Sequence, residues 1–240
     1  MLQRLFLLLL LAGTGCRPAP DARFVGYVAA PARLRLYYQD GHGRRLGSLG
    51  RLRDWLGQGP DSLRFAMNGG MYAPGGRPQG LFIENGRILV PLDTTHGAGN
   101  FYLRPNGVFT LSQTGQAGIC ATGQFRPSAA IAYATQSGPL LVHGGQVNSL
   151  FRAGSANVVV RNGVGLLPDG RVLLALSREP VNFYDFARYF QQQGCREALY
   201  LDGYVSRLYW PAGGWRQLDG DFGVLIGVAG RQAATCEKAR

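Results

Sequence analysis

The chain has 240 residues, of which 36 are glycine and only 16% are charged, and its formal net charge is +11. This composition favours a turn-rich β-containing fold and argues against a helical bundle. The arginines are scattered in ones and twos without a long basic run, so nucleic acid is not expected as a partner, and the charge is better suited to anionic glycans, phosphate or lipid.

The N-terminal segment is predicted to be an export signal. An apolar stretch from Leu5 to Ala12 follows Arg4 and ends in small residues before Cys16, a pattern typical of a lipoprotein signal peptide. We expect an envelope lipoprotein, on the periplasmic face or in the outer membrane, attached through lipid on Cys16; the alternative is a secreted protein. The expected divisions are a signal peptide at 1–16, a tether at 17–23, the folded domain at 24–230 and a polar tail at 231–240.

The first elements of the domain are a strand and a helix. Alternating residues predict a strand from Arg33 to Tyr38, and Ser48 is expected to cap a short helix that ends before Gly57. More than a hundred residues of strand and turn follow. The predicted strands are 64–67, 80–84, 87–90, 100–104, 108–112, 128–133, 140–143, 158–161, 163–167 and 172–177.

Four Asn-Gly or Asp-Gly pairs indicate hairpin turns. They are Asn85-Gly86, Asn106-Gly107, Asn162-Gly163 and Asp169-Gly170. A second helix is predicted after the cap Asn182, ending at Gly194, then a strand ending at Asp202 and a last strand over 222–228. The predicted fold class is α+β: a single β-rich domain with an extensive mixed or antiparallel sheet and a few packed helices.

The cysteines and histidines give no metal motif. The mature chain would keep Cys120, Cys195 and Cys236, which allows one disulfide whose pairing stays open. No cofactor is required by the sequence, although a divalent cation at Asp202 remains an alternative.

Asp202 is the first candidate for chemistry, because it ends an apolar run and is followed by Gly203. A carboxylate at the end of a buried strand is oriented by the core behind it. The same Leu-Asp-Gly sequence also forms ordinary turns. Ser206 lies close enough in sequence to share its surroundings.

Three other segments place polar groups at strand ends. They contain Asn68, Gly69 and Gly70; Ser137 and Gly138; and Asn157 with Arg161. Two glycines allow a backbone to approach a ligand closely, and an asparagine both donates to and accepts from sugar hydroxyls. Arg161 either reaches solvent or presents its fork to an anion.

Together these segments resemble the phosphodiester glycosidase family, over about residues 65–228. The resemblance rests on Asn-Gly-Gly-Met-Tyr, Ser-Gly-Pro-Leu-Leu, Arg-Asn-Gly-Val-Gly and Leu-Asp-Gly, which occur in the family's order. It implies hydrolysis of a bond between N-acetylglucosamine and a phosphodiester. Tyr204 and Val205 depart from the family pattern, in which a second glycine often follows Leu-Asp-Gly.

The resemblance suggests roles for these residues. Asp202 and Arg161 would be catalytic, the arginine by stabilising charge on a phosphate leaving group. Asp202 would orient or deprotonate water, act as a nucleophile at the anomeric carbon, or stabilise its positive charge, and the sequence leaves these three roles open. The expected substrate-binding residues are Asn68, Gly69, Gly70, Ser137, Gly138, Asn157, Gly203 and Ser206. His96 and Glu179 are secondary candidates for acid or base. Two other hypotheses remain: a lipoprotein that binds anionic or phosphorylated glycans without cleaving them, and an envelope scaffold.

Overall fold

A computed structural model describes residues 21–58 and 61–231. It contains two α-helices, α1 (Leu49–Gly57) and α2 (Phe183–Gln192). The strands are β1 (Phe24–Ala29), β2 (Leu34–Tyr37), β3 (Asp61–Gly70), β4 (Tyr72–Ala73), β5 (Arg77–Pro78), β6 (Phe82–Glu84), β7 (Arg87–Val90), β8 (Gly107–Ser112), β9 (Ala117–Ala121), β10 (Ile131–Ser137), β11 (Leu140–His143), β12 (Gln146–Val147), β13 (Asn162–Leu166), β14 (Val172–Ser177), β15 (Glu197–Tyr200), β16 (Leu208–Trp210), β17 (Trp215–Arg216) and β18 (Val224–Arg231).

The strands form three large sheets and one two-stranded ribbon. The strand orders are β1-β14-β13-β15-β11-β12, β7-β6-β10-β8-β9, β17-β16-β3-β18-β2 and β4-β5. Every pairing between the described strands is antiparallel. The β-rich character is confirmed, and the extensive sheet of the prediction is three antiparallel sheets with no parallel pair among the described residues.

One buried cluster takes side chains from all three large sheets. Phe65 on β3, Phe109 on β8 and Leu199 on β15 are each at most 2% exposed and belong to it. Burying a side chain of this size contributes about 1.5–3 kcal/mol. The ends of strands from different sheets are therefore held at fixed positions relative to one another.

Both predicted helices are present with their predicted caps. Ser48 accepts a hydrogen bond from the Arg51 N–H, and Asn182 accepts one from the Asp185 N–H. Helix α2 packs Phe186 and Phe190 against the large sheet that contains β15. The helix thus covers the strand that leads to Asp202.

Two of the four predicted hairpin turns are wrong. Asn85-Gly86 and Asp169-Gly170 do connect neighbouring strands, β6 to β7 and β13 to β14. Asn162-Gly163, however, lies inside β13, and Asn106 is buried and donates to the Phe101 carbonyl. In both cases the asparagine side chain is buried and hydrogen-bonded to a protein group, whereas in a surface turn it would face solvent.

Two predicted strands are also absent. Residues 100–104 begin with a short 3-10 turn, and residues 158–161 form only an isolated bridge between Val159 and Val181. Strands β1 and β9, which the sequence pattern did not predict, complete two of the sheets.

Several predictions concern residues outside the described part of the chain: the signal peptide, the first part of the tether including the residue after Cys16, Cys236 and nearly all of the polar tail. Cys120 and Cys195 are both free thiols. Over residues 21–58 and 61–231, none of the helices combines the length and the apolar character needed to cross a bilayer.

Candidate active site

Asp202 lies two residues beyond the end of β15, at the edge of the sheet. The preceding residues Leu199 and Leu201 are fully buried, whereas Asp202 itself is partly exposed. Its backbone N–H donates to Asn162 Oδ1 over 2.8 Å. The carboxyl group therefore starts from a backbone fixed on one side by the core and on the other by a side chain of β13.

Two buried asparagines connect three strands at this point. Asn162 Nδ2 donates to the carbonyl oxygen of Asn68 over 2.7 Å, and Asn68 Nδ2 donates to the carbonyl oxygen of Asp202 over 3.2 Å. Asn68 Oδ1 in turn accepts from the Arg207 N–H at 3.0 Å. Both asparagines are fully buried, and the bond between them is formed away from competing water. The network joins β3 and β13 to the segment that carries Asp202.

The turn after Asp202 is closed by Ser206. Its hydroxyl donates to the Asp202 carbonyl over 2.9 Å and contacts the Gly203 carbonyl at 3.2 Å. At Gly203 there is no room for a side chain, because a Cβ would overlap the Tyr200 hydroxyl. Burial raises the pKa of Tyr200, and the Gly203 N–H lies close enough to that hydroxyl to lower this pKa by a smaller amount. Gly203 is thus required by packing against Tyr200.

Burial raises the pKa of Asp202 to about 7, against a smaller lowering by hydrogen bonds from the Asn68 amide and the Tyr204 N–H. A carboxyl group removed from water holds its proton more tightly, because the charged form loses hydration. No second carboxyl group among the described residues is a source of this shift. Asp202 can therefore exchange a proton near neutral pH, which ordinary surface aspartates cannot do.

The predicted phosphate contact at Arg161 has to be corrected. Its side chain is 0% exposed, and its nitrogens donate to the carbonyl of Val181 at 2.7 Å, to that of Asn157 at 2.8 Å and to the Tyr200 hydroxyl at 3.4 Å. Its guanidinium stacks on the Phe183 ring at 3.7 Å. Burial lowers the pKa of Arg161. Since the fork is occupied by protein groups, Arg161 supports Tyr200, which supports the Asp202 turn.

Ser137 and Asn157 also serve internal contacts. The buried Ser137 hydroxyl donates to the Leu201 carbonyl over 2.7 Å, so the prediction that it faces a sugar is corrected. Asn157 is exposed, but its carbonyl and side-chain oxygens accept from Arg161. Ser137 holds the strand that carries Asp202, and Asn157 holds the arginine behind it.

The glycines that were expected to admit a ligand are closely packed. A Cβ on Gly70 would lie 2.6 Å from the Thr135 hydroxyl, and one on Gly69 would lie 3.0 Å from the Ile226 nitrogen. A Cβ on Gly138 would lie 2.6 Å from Asn106. These glycines let neighbouring strands approach one another, whether or not a ligand also uses the space.

The secondary candidates lie apart from this network. His96 and Glu179 are both exposed on loops, and neither contributes to the pKa shift of Asp202. Among residues 21–58 and 61–231 there is no group of three or more histidine, cysteine or acidic side chains that could hold a metal ion. The cation considered at Asp202 stays a prediction.

Sequence reasoning missed Asn162, Tyr200 and Tyr72 as parts of the site. Tyr72 lies near enough to Asp202 and Asp221 for both carboxylates to add to the effect of burial in raising its pKa. Asn162 looked like half of a hairpin turn. The available signal was its position directly after a β-branched run that ends in Arg161, which matches the order of the family motifs.

Comparison with known proteins decides the family. A family model described as phosphodiester glycosidase matches residues 61–223, which include Asn68, Asn162 and Asp202. The chain belongs to this family. The matched region contains β3, β13 and β15, whose ends meet at Asp202. The match confirms the resemblance to phosphodiester glycosidases that the sequence suggested.

Relatives of this phosphodiester glycosidase family member include an uncharacterized protein of Escherichia coli (strain K12), YigE. The two are 39% identical over 183 residues, which is 75% of this chain and 71% of YigE.

Two solved structures share the fold at low sequence identity. One is the zebrafish N-acetylglucosamine-1-phosphodiester alpha-N-acetylglucosaminidase catalytic domain, auto-inhibited by its pro-peptide: the TM-score is 0.57 and the identity 13%, covering 88% of this chain and 85% of that one. The other is a candidate exported protein of Burkholderia pseudomallei K96243, with a TM-score of 0.56 and 12% identity over 85% of this chain and 73% of that one.

Proposed function

We propose that this protein is a hydrolase that cleaves the bond between a sugar and a phosphodiester, of the N-acetylglucosamine-1-phosphodiester kind, in envelope or extracellular glycans. The proposal depends on the environment of the Asp202 carboxyl group. In a chain of the phosphodiester glycosidase family, one partly exposed carboxyl group with a pKa of about 7 ends a buried strand and is held by the Asn68 and Asn162 network.

The chemistry needs few groups because the leaving group is a weak base. Water attacks the anomeric carbon and transfers a proton to ionised Asp202, while the bond from that carbon to the phosphate oxygen breaks and its electron pair stays on the phosphate. The products are the free sugar and a phosphomonoester. An ordinary glycosidase must also protonate an alkoxide and so needs a second carboxyl group. A phosphate leaving group needs much less assistance.

The rigidity of the site supports this role. Asn162, Ser206 and Tyr200 hold the backbone on both sides of Asp202, so the carboxyl group is oriented before a substrate arrives. Preorganisation of this kind lowers the cost of reaching the reactive geometry.

The test is turnover of defined substrates. We would incubate the purified domain with the methyl phosphodiester of N-acetylglucosamine 1-phosphate, the phosphomonoester, and neutral methyl N-acetylglucosaminide. We expect release of N-acetylglucosamine from the diester, loss of at least about 100-fold in Asp202→Asn, and little change in the matched variant Glu179→Gln.

Isotope labelling identifies the bond that breaks. In water enriched in oxygen-18, the label should enter the sugar and not the phosphate. Label in the phosphate, or equal turnover in Asp202→Asn, would contradict the proposal. Saturable binding of the diester without any product would instead favour the glycan-binding alternative.

We also propose that the segment before the domain exports the protein and attaches it to the envelope through lipid on Cys16. The support is the order of Arg4, the apolar stretch and Cys16 in the sequence. Cells expressing the full chain should incorporate labelled palmitate into it, and Cys16→Ser should abolish both labelling and membrane fractionation. Unlabelled protein in the culture medium would support simple secretion.

A further inference from the structure

A groove of about 650 Å³ has Tyr72, a residue within range of the Asp202 charge, among its lining residues. Its walls are the segment that contains β4 and β5 and the loop after β7, with the rings of Tyr72 and Tyr102 among the lining side chains. Tyr72 links the groove to the candidate active site. It lies four positions after Asn68, and the Asp202 carboxylate is close enough to add to the effect of burial in raising the pKa of Tyr72. This volume is in the range of small-ligand sites.

Arg77 is the only cation among the described residues that line this groove. It pairs with Ala73 in the two-stranded ribbon, next to the pairing of Tyr72 with Pro78, and its side chain is exposed. The other arginines near the site are occupied: Arg45 bonds to Asp221 at 2.6 Å and Arg207 to Asp219 at 2.8 Å. In the described part of the chain, the Arg77 guanidinium has no ion pair or side-chain hydrogen bond.

The opposite wall is rigid, and its one acid is engaged. The Asp93 carboxylate accepts from the Thr95 hydroxyl at 2.6 Å and from the Tyr102 hydroxyl at 3.0 Å. The buried Gln136 side chain bonds both the N–H and the carbonyl of Asp93, at 2.9 and 2.6 Å. These bonds hold the loop in place without a ligand. The Asp93 carboxylate is bonded to Thr95 and Tyr102 and forms no ion pair with Arg77, so the Arg77 guanidinium can bind an anion.

We propose that this groove binds the phosphate and the attached group of the substrate diester, with Arg77 donating to the phosphate oxygens. The inference rests on the proposed function, because it assigns the sugar to the Asp202 side and the leaving phosphomonoester to the Arg77 side. A guanidinium offers paired donors that match two phosphate oxygens. With Arg161 buried, Arg77 takes the role of the anion contact.

Binding can be measured without turnover in the Asp202→Asn protein. The probes are the methyl phosphodiester of N-acetylglucosamine 1-phosphate and neutral methyl N-acetylglucosaminide, followed by calorimetry. Adding Arg77→Gln should raise the Kd of the diester about tenfold and leave the Kd of the neutral glycoside within twofold. The matched control is Arg87→Gln, an exposed strand arginine outside this groove, which should change neither.

Three results would overturn the inference: an unchanged Kd in Arg77→Gln, an equal loss in Arg87→Gln, or no diester binding at all. Hydrolysis of the diester is measured separately, in the protein that keeps Asp202. A protein that binds the diester through Arg77 but does not cleave it upholds this inference and refutes the proposed function. If the protein cleaves the diester and Arg77→Gln leaves kcat and KM unchanged, the inference about Arg77 is refuted and the proposed function stands.

Discussion

The backbone N–H of Asp202 donates to the side-chain oxygen of Asn162, a residue forty positions earlier in the chain, over 2.8 Å. The same Asn162 side chain donates to Asn68 on a different sheet. One buried amide thus sets the relative positions of the carboxyl group and of the segment that leads to Tyr72 and Arg77.

Replacing this amide should damage both folding and activity. Asn162→Ala leaves the Asp202 N–H and the Asn68 carbonyl without partners, at a cost of about 1–3 kcal/mol for each buried group. We expect a lower free energy of unfolding in urea and a fall in kcat. Asn106→Ala is the control, since Asn106 is equally buried but bonds the Phe101 carbonyl. It should lose stability and keep kcat; an equal loss of kcat in both variants would refute a local effect.

Asp202 should make stability and activity depend on pH. Its folded pKa of about 7 lies above the unfolded value of about 3.9, so between these values the folded state holds more protons. Stability contributed by this group is present below pH 4 and is lost as the pH rises to 7. Asp202→Asn should remove that loss and raise the Tm at pH 8, by about 2–4 °C for each kcal/mol recovered.

Activity should change in the opposite direction to stability, because the proposed step uses the ionised carboxylate. The rate on the diester should therefore rise with a midpoint near pH 7. A rate that falls through pH 7 would assign the protonated form to the reaction. A rate without an inflection between pH 5 and 8 would contradict the environment described for Asp202.

Substitution of Arg161 distinguishes the structural role seen in its contacts from the phosphate-binding role that the sequence predicted. If its guanidinium supports Tyr200, as its contacts indicate, Arg161→Lys should lose about 2–4 kcal/mol of stability, since a lysine cannot bond Val181, Asn157 and Tyr200 together. Tyr200→Phe should mimic part of this loss and also lower kcat. A stable Arg161→Lys protein whose KM alone rises for charged substrates would restore the phosphate-binding role.

Gly203 tests the packing of the turn itself. In Gly203→Ala the new methyl group would overlap the Tyr200 hydroxyl, and relieving the overlap should cost about 1–3 kcal/mol and displace Asp202. Gly41→Ala is a matched control, because a Cβ there meets nothing within 4 Å. Combining Gly203→Ala with Tyr200→Phe should recover part of the stability. Purely additive losses would show that the clash is not with that hydroxyl.

Much of the fold follows from local sequence signals. The caps Ser48 and Asn182, the turn at Asn85-Gly86 and the apolar run before Asp202 each reflect short-range physics, namely capping, positive φ and burial. The signals failed at Asn106, which bonds the Phe101 carbonyl five positions earlier, and at Asn162, which bonds groups 94 and 40 positions away. A turn propensity describes four neighbouring residues and contains no information about such a partner.

The sequence by itself determined that the chain is β-rich, which family it resembles and that Asp202 stands at the end of a buried strand. Only the tertiary structure decided that Arg161 faces inward, that Asn162 holds Asp202, and that Arg77 is exposed in the groove that Tyr72 lines. The reason is that a charged side chain at a strand end has the same local pattern whether it meets water or a protein carbonyl. The outcome depends on which other strands arrive there, and those are set by the packing of three sheets around one core.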